Sequence, residues 1–241
     1  METPEVIQTN EVNVGGFLNM LIAARDAGAS RFVYASSSAV YGDHPSLPKI
    51  EDQIGKQLSP YALTKFVNEL YASIFATIYS LETVGLRFFN VFGPRQDPNG
   101  PYAAVIPKWV GHILRSESCP IFGDGETSRD FSYIENVIDS ILKAALTQNP
   151  KAVNQVYNVA QGQKTSLKEL QKILARKISS RMGPEVVLQK PTFHPFRKGD
   201  VRHSLANISK ARELLDYKTD YSLEMGLDKS LAWYISHRKE L

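Results

Sequence analysis

Apolar residues recur at helical spacing over residues 10–28, where Val12, Phe17, Leu18, Leu21 and Ile22 share a face and Gly28 stands at a helix stop. A β-prone run follows at once, Arg31-Phe32-Val33-Tyr34-Ala35-Ser36, apolar enough for a buried strand and ending in small hydroxyl residues. Gly42, Pro45, Pro48 and Gly55 mark a loop. Pro60, a residue suited to the first turn, opens a second helix that runs to about residue 80. Residues 83–90 (TVGLRFFN) read as another strand. Helix, strand, helix, strand with short connections is the order of a parallel sheet wrapped by helices.

After Pro94 the pattern loosens into two loop-rich stretches, 95–101 and 123–130, separated by a helix expected over about 103–116. This reads as a second lobe. Beyond it the pattern predicts a helix at 136–146, a short strand at 156–158, and a helix opening at Ser166 with Glu169 three residues on, the spacing of a capping box. Helices at 209–215 and 223–236 close the chain.

The 241 residues, 43% of them hydrophobic, are enough to bury a core in one large domain or two unequal lobes. Lys and Arg number 28 against 25 Asp and Glu, and the basic residues are scattered, so neither a nucleic-acid nor a membrane partner is expected. Cys119 stands alone, which excludes an internal disulfide, and no Cys/His spacing resembles a zinc site; no metal and a reducing, cytoplasmic compartment are expected. No apolar run approaches the roughly 20 residues of a membrane span. Residues 1–10 lack the basic start and apolar stretch of a signal peptide, so the sequon Asn207-Ile208-Ser209 is expected to stay unmodified.

The strongest local signal is Tyr61-Ala62-Leu63-Thr64-Lys65, in the first turns of a helix that follows a strand ending in Ser36-Ser37-Ser38. Tyr and Lys four apart lie on one helix face. A phenol, with a pKa near ~10, is a poor base at neutral pH, and a neighbouring ammonium favours its phenolate. A hydroxyl such as Ser37 on the adjacent strand end then shares the same substrate oxygen. The pentapeptide alone reads first as an ordinary helix-surface pair; the serine-tipped strand upstream turns the balance to the chemical reading.

The segments Ala35-Ser36-Ser37-Ser38-Ala39-Val40-Tyr41-Gly42, Ser59-Pro60-Tyr61-Ala62-Leu63-Thr64-Lys65 and Leu86-Arg87-Phe88-Phe89-Asn90-Val91-Phe92-Gly93-Pro94 resemble the extended short-chain dehydrogenase/reductases, the NAD-dependent epimerases and dehydratases. The likeness continues through Tyr102 to Pro107, Gly123 to Phe131 and Phe196 to Arg202. It implies an α/β fold with a Rossmann-type parallel sheet, incomplete here, helices on both its faces, and a smaller C-terminal lobe. It further implies Tyr61 as base, Lys65 as its tuner and a ligand of the nicotinamide ribose, Ser37 as hydroxyl partner, and Ser38 near the sugar. Ser36, Phe88 and Asn13 are implied at the cofactor, NAD. Asn90, Gln96, Ala104, Val105, Arg129, Asp200, Arg202 and Ser204 are implied at a UDP-sugar, the arginines suited to bidentate, charge-assisted bonds with phosphate. Arg129 also reads as a surface loop arginine.

Dehydratases of this kind carry an Asp-Glu pair where Ser38 and Ala39 stand, because eliminating water needs its own acid and base. The resemblance therefore implies oxidation and re-reduction at C4 through a 4-keto sugar. Gly42-Asp43-His44-Pro45, residues 95–100 and residues 202–206 are most similar to UDP-N-acetylglucosamine 4-epimerases, with UDP-glucose and UDP-glucuronate epimerases as alternatives. Small residues at Ala104 and Ser204 leave room for an N-acetyl group without requiring one.

Family members open with a Gly-x-x-Gly-x-x-Gly turn for the dinucleotide pyrophosphate. None occurs here: Gly123-Asp124-Gly125 leads to Arg129-Asp130-Phe131 and opens no amphipathic helix. About three βα steps are expected to be missing, leaving a sheet edge open and little turnover. The domain expectation is residues 1–94 as the later part of the NAD-binding domain and 95–241 as mainly the substrate lobe, some segments returning to the first. Asn10 reads as a cofactor contact or a helix N-cap. A homodimer through helices 10–28 and 60–80 is implied; the alternative to an enzyme is a non-catalytic chain binding UDP-sugar or a partner.

Overall fold

The computed structural model describes residues 3–98, 104–197 and 200–238. The helices among the described residues are α1 (Thr3–Asn10), α2 (Gly16–Asp26), α3 (Pro60–Tyr79), α4 (Val105–Leu114), α5 (Ile134–Leu146), α6 (Leu167–Met182), α7 (Ser209–Leu215) and α8 (Leu223–Ser236). The strands are β1 (Arg31–Ser37), β2 (Glu82–Phe88), β3 (Asn90–Phe92), β4 (Pro120–Phe122), β5 (Ser128–Arg129), β6 (Phe131–Tyr133), β7 (Gln155–Val159), β8 (Thr165–Ser166) and β9 (Thr192–His194). They fall into two compact units: Met1–Phe89, Val137–Gly162 and Ala206–Lys218 form the first, and Asn90–Asn136, Gln163–Leu205 and Thr219–Leu241 the second.

In the first unit β1, β2 and β7 make a parallel sheet in the order β1-β2-β7, with Ser36 opposite Arg87 and Ser37 opposite Phe88. Its central strand is buried along most of its length, with Val84 and Leu86 fully enclosed and Thr83 and Arg87 the polar side chains buried beside them. The first helix starts earlier than its periodicity predicts, at Thr3, and passes through a π turn at Glu11–Gly15 that joins α1 to α2. Gly28, at φ +67°, supplies the left-handed turn beyond it. Phe17 packs edge-on against Phe32 and Tyr34, beside a core of Leu21, Phe75 and Leu81. Arg31 pairs with Glu82 at 2.8 Å and donates to the carbonyls of Ala144, Ala145 and Thr147, satisfying the open end of α5.

The strand expected over 83–90 is two: β2 stops at Phe88, and Asn90 begins β3, which pairs in parallel with β6 in the second unit. There β4 pairs with β9 in parallel and β5 with β8 antiparallel, so the expected loop at 123–130 contains a strand. The core of this unit is Trp109, Val110 and Ile113 of α4, Leu170, Leu174 and Ile178 of α6, and Leu227, Leu231 and Tyr234 of α8. Residues 99–103, which include Tyr102 and the expected helix start at Ala103, and Lys198 and Gly199 of the quoted motif lie outside the described residues. Among the described residues no helix is long and apolar enough to cross a membrane.

Candidate active site

Strand β1 delivers Ser37 and helix α3 delivers Tyr61 and Lys65. The start of α3 is fixed by Ser59, whose hydroxyl accepts from the Ala62 amide at 3.1 Å, with Pro60 in the first turn. Tyr61 is 39% exposed. The Lys65 ammonium lies 5.9 Å from the centre of the Tyr61 ring and donates to the Ala35 carbonyl at 3.1 Å. Burial lowers the Lys65 pKa below the usual lysine value. Ser37 Oγ accepts from the Ala39 amide at 3.2 Å, which leaves its own O–H available to a ligand. Ser38 is half-buried in the 3-10 turn Ser38–Tyr41.

Ser36, expected at the cofactor, has its side chain elsewhere. Strand alternation turns it into the unit, 3% exposed, where its hydroxyl donates to Glu69 at 2.5 Å. Only its main chain shares the face of Ala35 and Ser37. Asn13, in the π turn, donates to the Thr64 hydroxyl at 3.1 Å, and Thr64 donates to the Tyr61 carbonyl at 2.8 Å; its amide thus braces the first turn of α3. Phe88 is half-buried at the end of β2.

The second unit holds a cavity of about 220 Å³ lined by Asn90, Ala104, Val105, Arg129 and Asp200, all expected at a nucleotide-sugar, and also by Lys108, Phe122 and Arg197. Arg129 is held 2.5 Å from Asp200, and burial lowers its pKa against that carboxylate. The Arg197 guanidinium stacks 3.7 Å from the centre of the Phe122 ring. Among the described residues Lys108, Arg129 and Arg197 line it with the carboxylate of Asp200, a balance that suits an anion, beside an apolar wall of Val91, Phe92 and Ile106. Gln96, Arg202 and Ser204 do not line it. Gln96 donates to the Val91 carbonyl at 3.3 Å, Arg202 pairs with Asp124 at 2.5 Å, and the Ser204 amide donates to the Ser128 carbonyl at 3.1 Å.

The sequence pattern of the NAD dependent epimerase/dehydratase family matches residues 3–160. The chain belongs to this family. It is 34% identical over 224 residues to the UDP-glucose 4-epimerase of Mycolicibacterium smegmatis, an alignment covering 92% of this chain and 68% of that protein. Among solved structures, it superimposes with a TM-score of 0.86 and 38% identity on a UDP-N-acetylglucosamine 4-epimerase from Methanobrevibacter ruminantium, covering 95% of this chain and 70% of that one. Against the UDP-glucose 4-epimerase of Thermotoga maritima the TM-score is 0.89 at 33% identity, covering 97% and 72%.

The epimerase/dehydratase family is NAD-dependent, and the first unit presents donors of the kind that a cofactor's hydroxyl groups accept from. The Tyr61 phenol is accessible, and Lys65 has spent only one of its three donors on Ala35 in the contacts described. The sequence reading did not single out Lys108, Phe122 and Arg197 of the cavity, nor Glu69 behind Ser36. Arg197 stands three positions before Asp200 in the quoted motif, and its charge was the available signal. Glu69 follows Lys65 by one helical turn and Tyr61 by two, a spacing that places it on their face.

Proposed function

We propose that this family member is a UDP-sugar 4-epimerase that interconverts UDP-N-acetylglucosamine and UDP-N-acetylgalactosamine. The observation that carries the reading is the accessible Tyr61 phenol with the Lys65 ammonium beside it and the Ser37 hydroxyl proton available on the neighbouring strand. Tyr61 takes the proton of the C4 hydroxyl, Ser37 holds the same oxygen, and Tyr61 returns the proton after the sugar has turned. Bound NAD supplies the hydride acceptor and donor. Because Ser38 and Ala39 stand where a dehydratase has its acid pair, no group is present there to expel water.

In the second unit Arg129 and Arg197 bind the diphosphate, and the apolar wall with Phe122 takes the uracil. The N-acetyl preference is supported by 38% identity to the Methanobrevibacter enzyme and by the small side chain of Ala104 in the cavity wall. UDP-glucose is the second reading, supported by the Thermotoga relative. The domain reading follows: the first unit carries the cofactor chemistry and the second the nucleotide-sugar.

A homodimer belongs to the same proposal. Leu63, Leu70, Ile74 and Ile78 form an exposed apolar stripe along α3, joined by Met20 of α2. A cytoplasmic setting suits the one free thiol, Cys119.

The test is to incubate the chain with each of UDP-N-acetylglucosamine, UDP-glucose and UDP-glucuronate plus NAD+, and to separate the C4 epimers by chromatography, with Tyr61→Phe in parallel. Product from the N-acetyl substrate that disappears in Tyr61→Phe supports the proposal. Greater turnover of another sugar moves the specificity, and binding of UDP-sugar without turnover assigns this chain a binding role alone.

A further inference from the structure

Beneath the catalytic face of the first unit lies a buried ion pair that the proposed reaction does not use. Glu69 of α3 accepts from Arg87 Nε at 2.9 Å and Nη2 at 2.7 Å, with both side chains no more than 6% exposed. Its Oε1 also accepts from Ser36 at 2.5 Å. Arg87 sends its remaining nitrogen, Nη1, to the Glu51 carbonyl at 2.8 Å and stacks 4.8 Å from the centre of the Tyr41 ring. Tyr41 donates to Asn158 at 2.6 Å, and the Asn158 amide donates back to the Glu51 carboxylate at 2.9 Å. Burial works against the charge on Arg87, yet its bonds to Glu69 hold its pKa above the ordinary arginine value. Burial likewise pushes the Tyr41 phenol up to about 12.

Such a pair is a poor device for stability, since desolvating two charges costs about as much as their attraction returns, and well-packed apolar residues often do as well. Its placement points to another role. Ser36 lies between Ala35, whose carbonyl receives Lys65, and Ser37, and Arg87 faces Ser36 across the sheet. Glu69 is one turn beyond Lys65 on the same helix. The clamp therefore ties the strand that carries Ser37 to the helix that carries Tyr61 and Lys65, one turn beyond Lys65.

We propose that Glu69 is a positioning residue: clamped by Ser36 and Arg87, it fixes the register of α3 against the end of β1 and so holds Lys65 on the Ala35 carbonyl. That Lys65 serves catalysis rests on the function proposed above; its placement does not. The experiment is side-chain NMR of the full chain with isotope-labelled lysine, the Lys65 signal assigned with Lys65→Arg. The paired substitution E69M/R87M removes both charges and leaves neither orphaned. The expected result is a folded protein in which the contact from Lys65 to Ala35 is lost and the Lys65 titration midpoint rises toward that of free lysine by about half a unit or more. A folded pair with the Lys65 signal and midpoint unchanged overturns the proposal, and so does a pair that cannot fold, since the clamp is then structural. Where the parent chain turns over UDP-sugar, kcat is expected to fall about tenfold with KM within about twofold. A parent chain without turnover refutes the epimerase reading while the NMR result still decides the clamp.

Discussion

Tyr61 and Lys65 stand on one turn of α3 with opposite relations to water, the phenol reachable and the ammonium half-buried. Tyr61→Phe removes only a hydroxyl and is expected to lower turnover about a thousandfold or more with the melting temperature nearly unchanged, measured by epimer chromatography and calorimetry. Lys65 has a pH signature. Its folded pKa lies below the unfolded value, so between the two the unfolded chain holds more protons and stability rises with pH. The penalty for enclosing the charge is complete below the folded pKa. Lys65→Met should therefore melt higher than the parent at neutral pH, and the gap should close as pH climbs into the ordinary lysine range; a gap independent of pH contradicts this. Arg197→Ala should weaken UDP binding about tenfold or more by calorimetry, through loss of one charge-assisted contact. The residues the sequence pointed to stand in recognisable motifs, Tyr61 with Lys65 in one of them and Arg129 and Asp200 in two others. Glu69 with Arg87, and Arg197 with Phe122, combine positions from separate elements, and only the fold brings them together.

At the scale of elements, the helix ends that carry a serine cap were legible because their chemistry is local, whereas Asn10, for which a cap was one reading, lies inside a continuous helical run and caps nothing. Ser166 accepts from the Glu169 amide at 3.2 Å, as its spacing predicted, and Ser166→Ala should cost about 1 kcal/mol in denaturant unfolding. The short strands of the second unit were not legible: β5 and β8 have two residues each and β3, β4, β6 and β9 three, too few for an alternating pattern. Helix α8 shows what composition conceals. Gly226 lies where a Cβ would come 2.7 Å from the Tyr133 ring and 2.8 Å from Phe92, so it is a packing glycine. Helix propensity favours alanine by about 1 kcal/mol, but overpacking should outweigh it, and Gly226→Ala is expected to destabilise by about 1–3 kcal/mol. A rise in melting temperature would show that the two rings yield.

For the whole molecule, the apolar stripe on α3 sets the prediction. Light scattering should give about twice the 26.9 kDa of the chain, and L70E/I74E should bring it back to one copy without loss of helix by circular dichroism. The division into two units has a different reach. Each is assembled from three stretches of chain, so the polypeptide passes from one to the other five times, and the first unit is not complete until Ala206–Lys218 has been made. On a ribosome adding about 5–20 residues per second, the strand bearing Ser37 emerges many seconds before the last helix of its own unit. During that interval the nascent chain carries unmatched apolar surface, which makes this a polypeptide that chaperones should meet before its first native state exists.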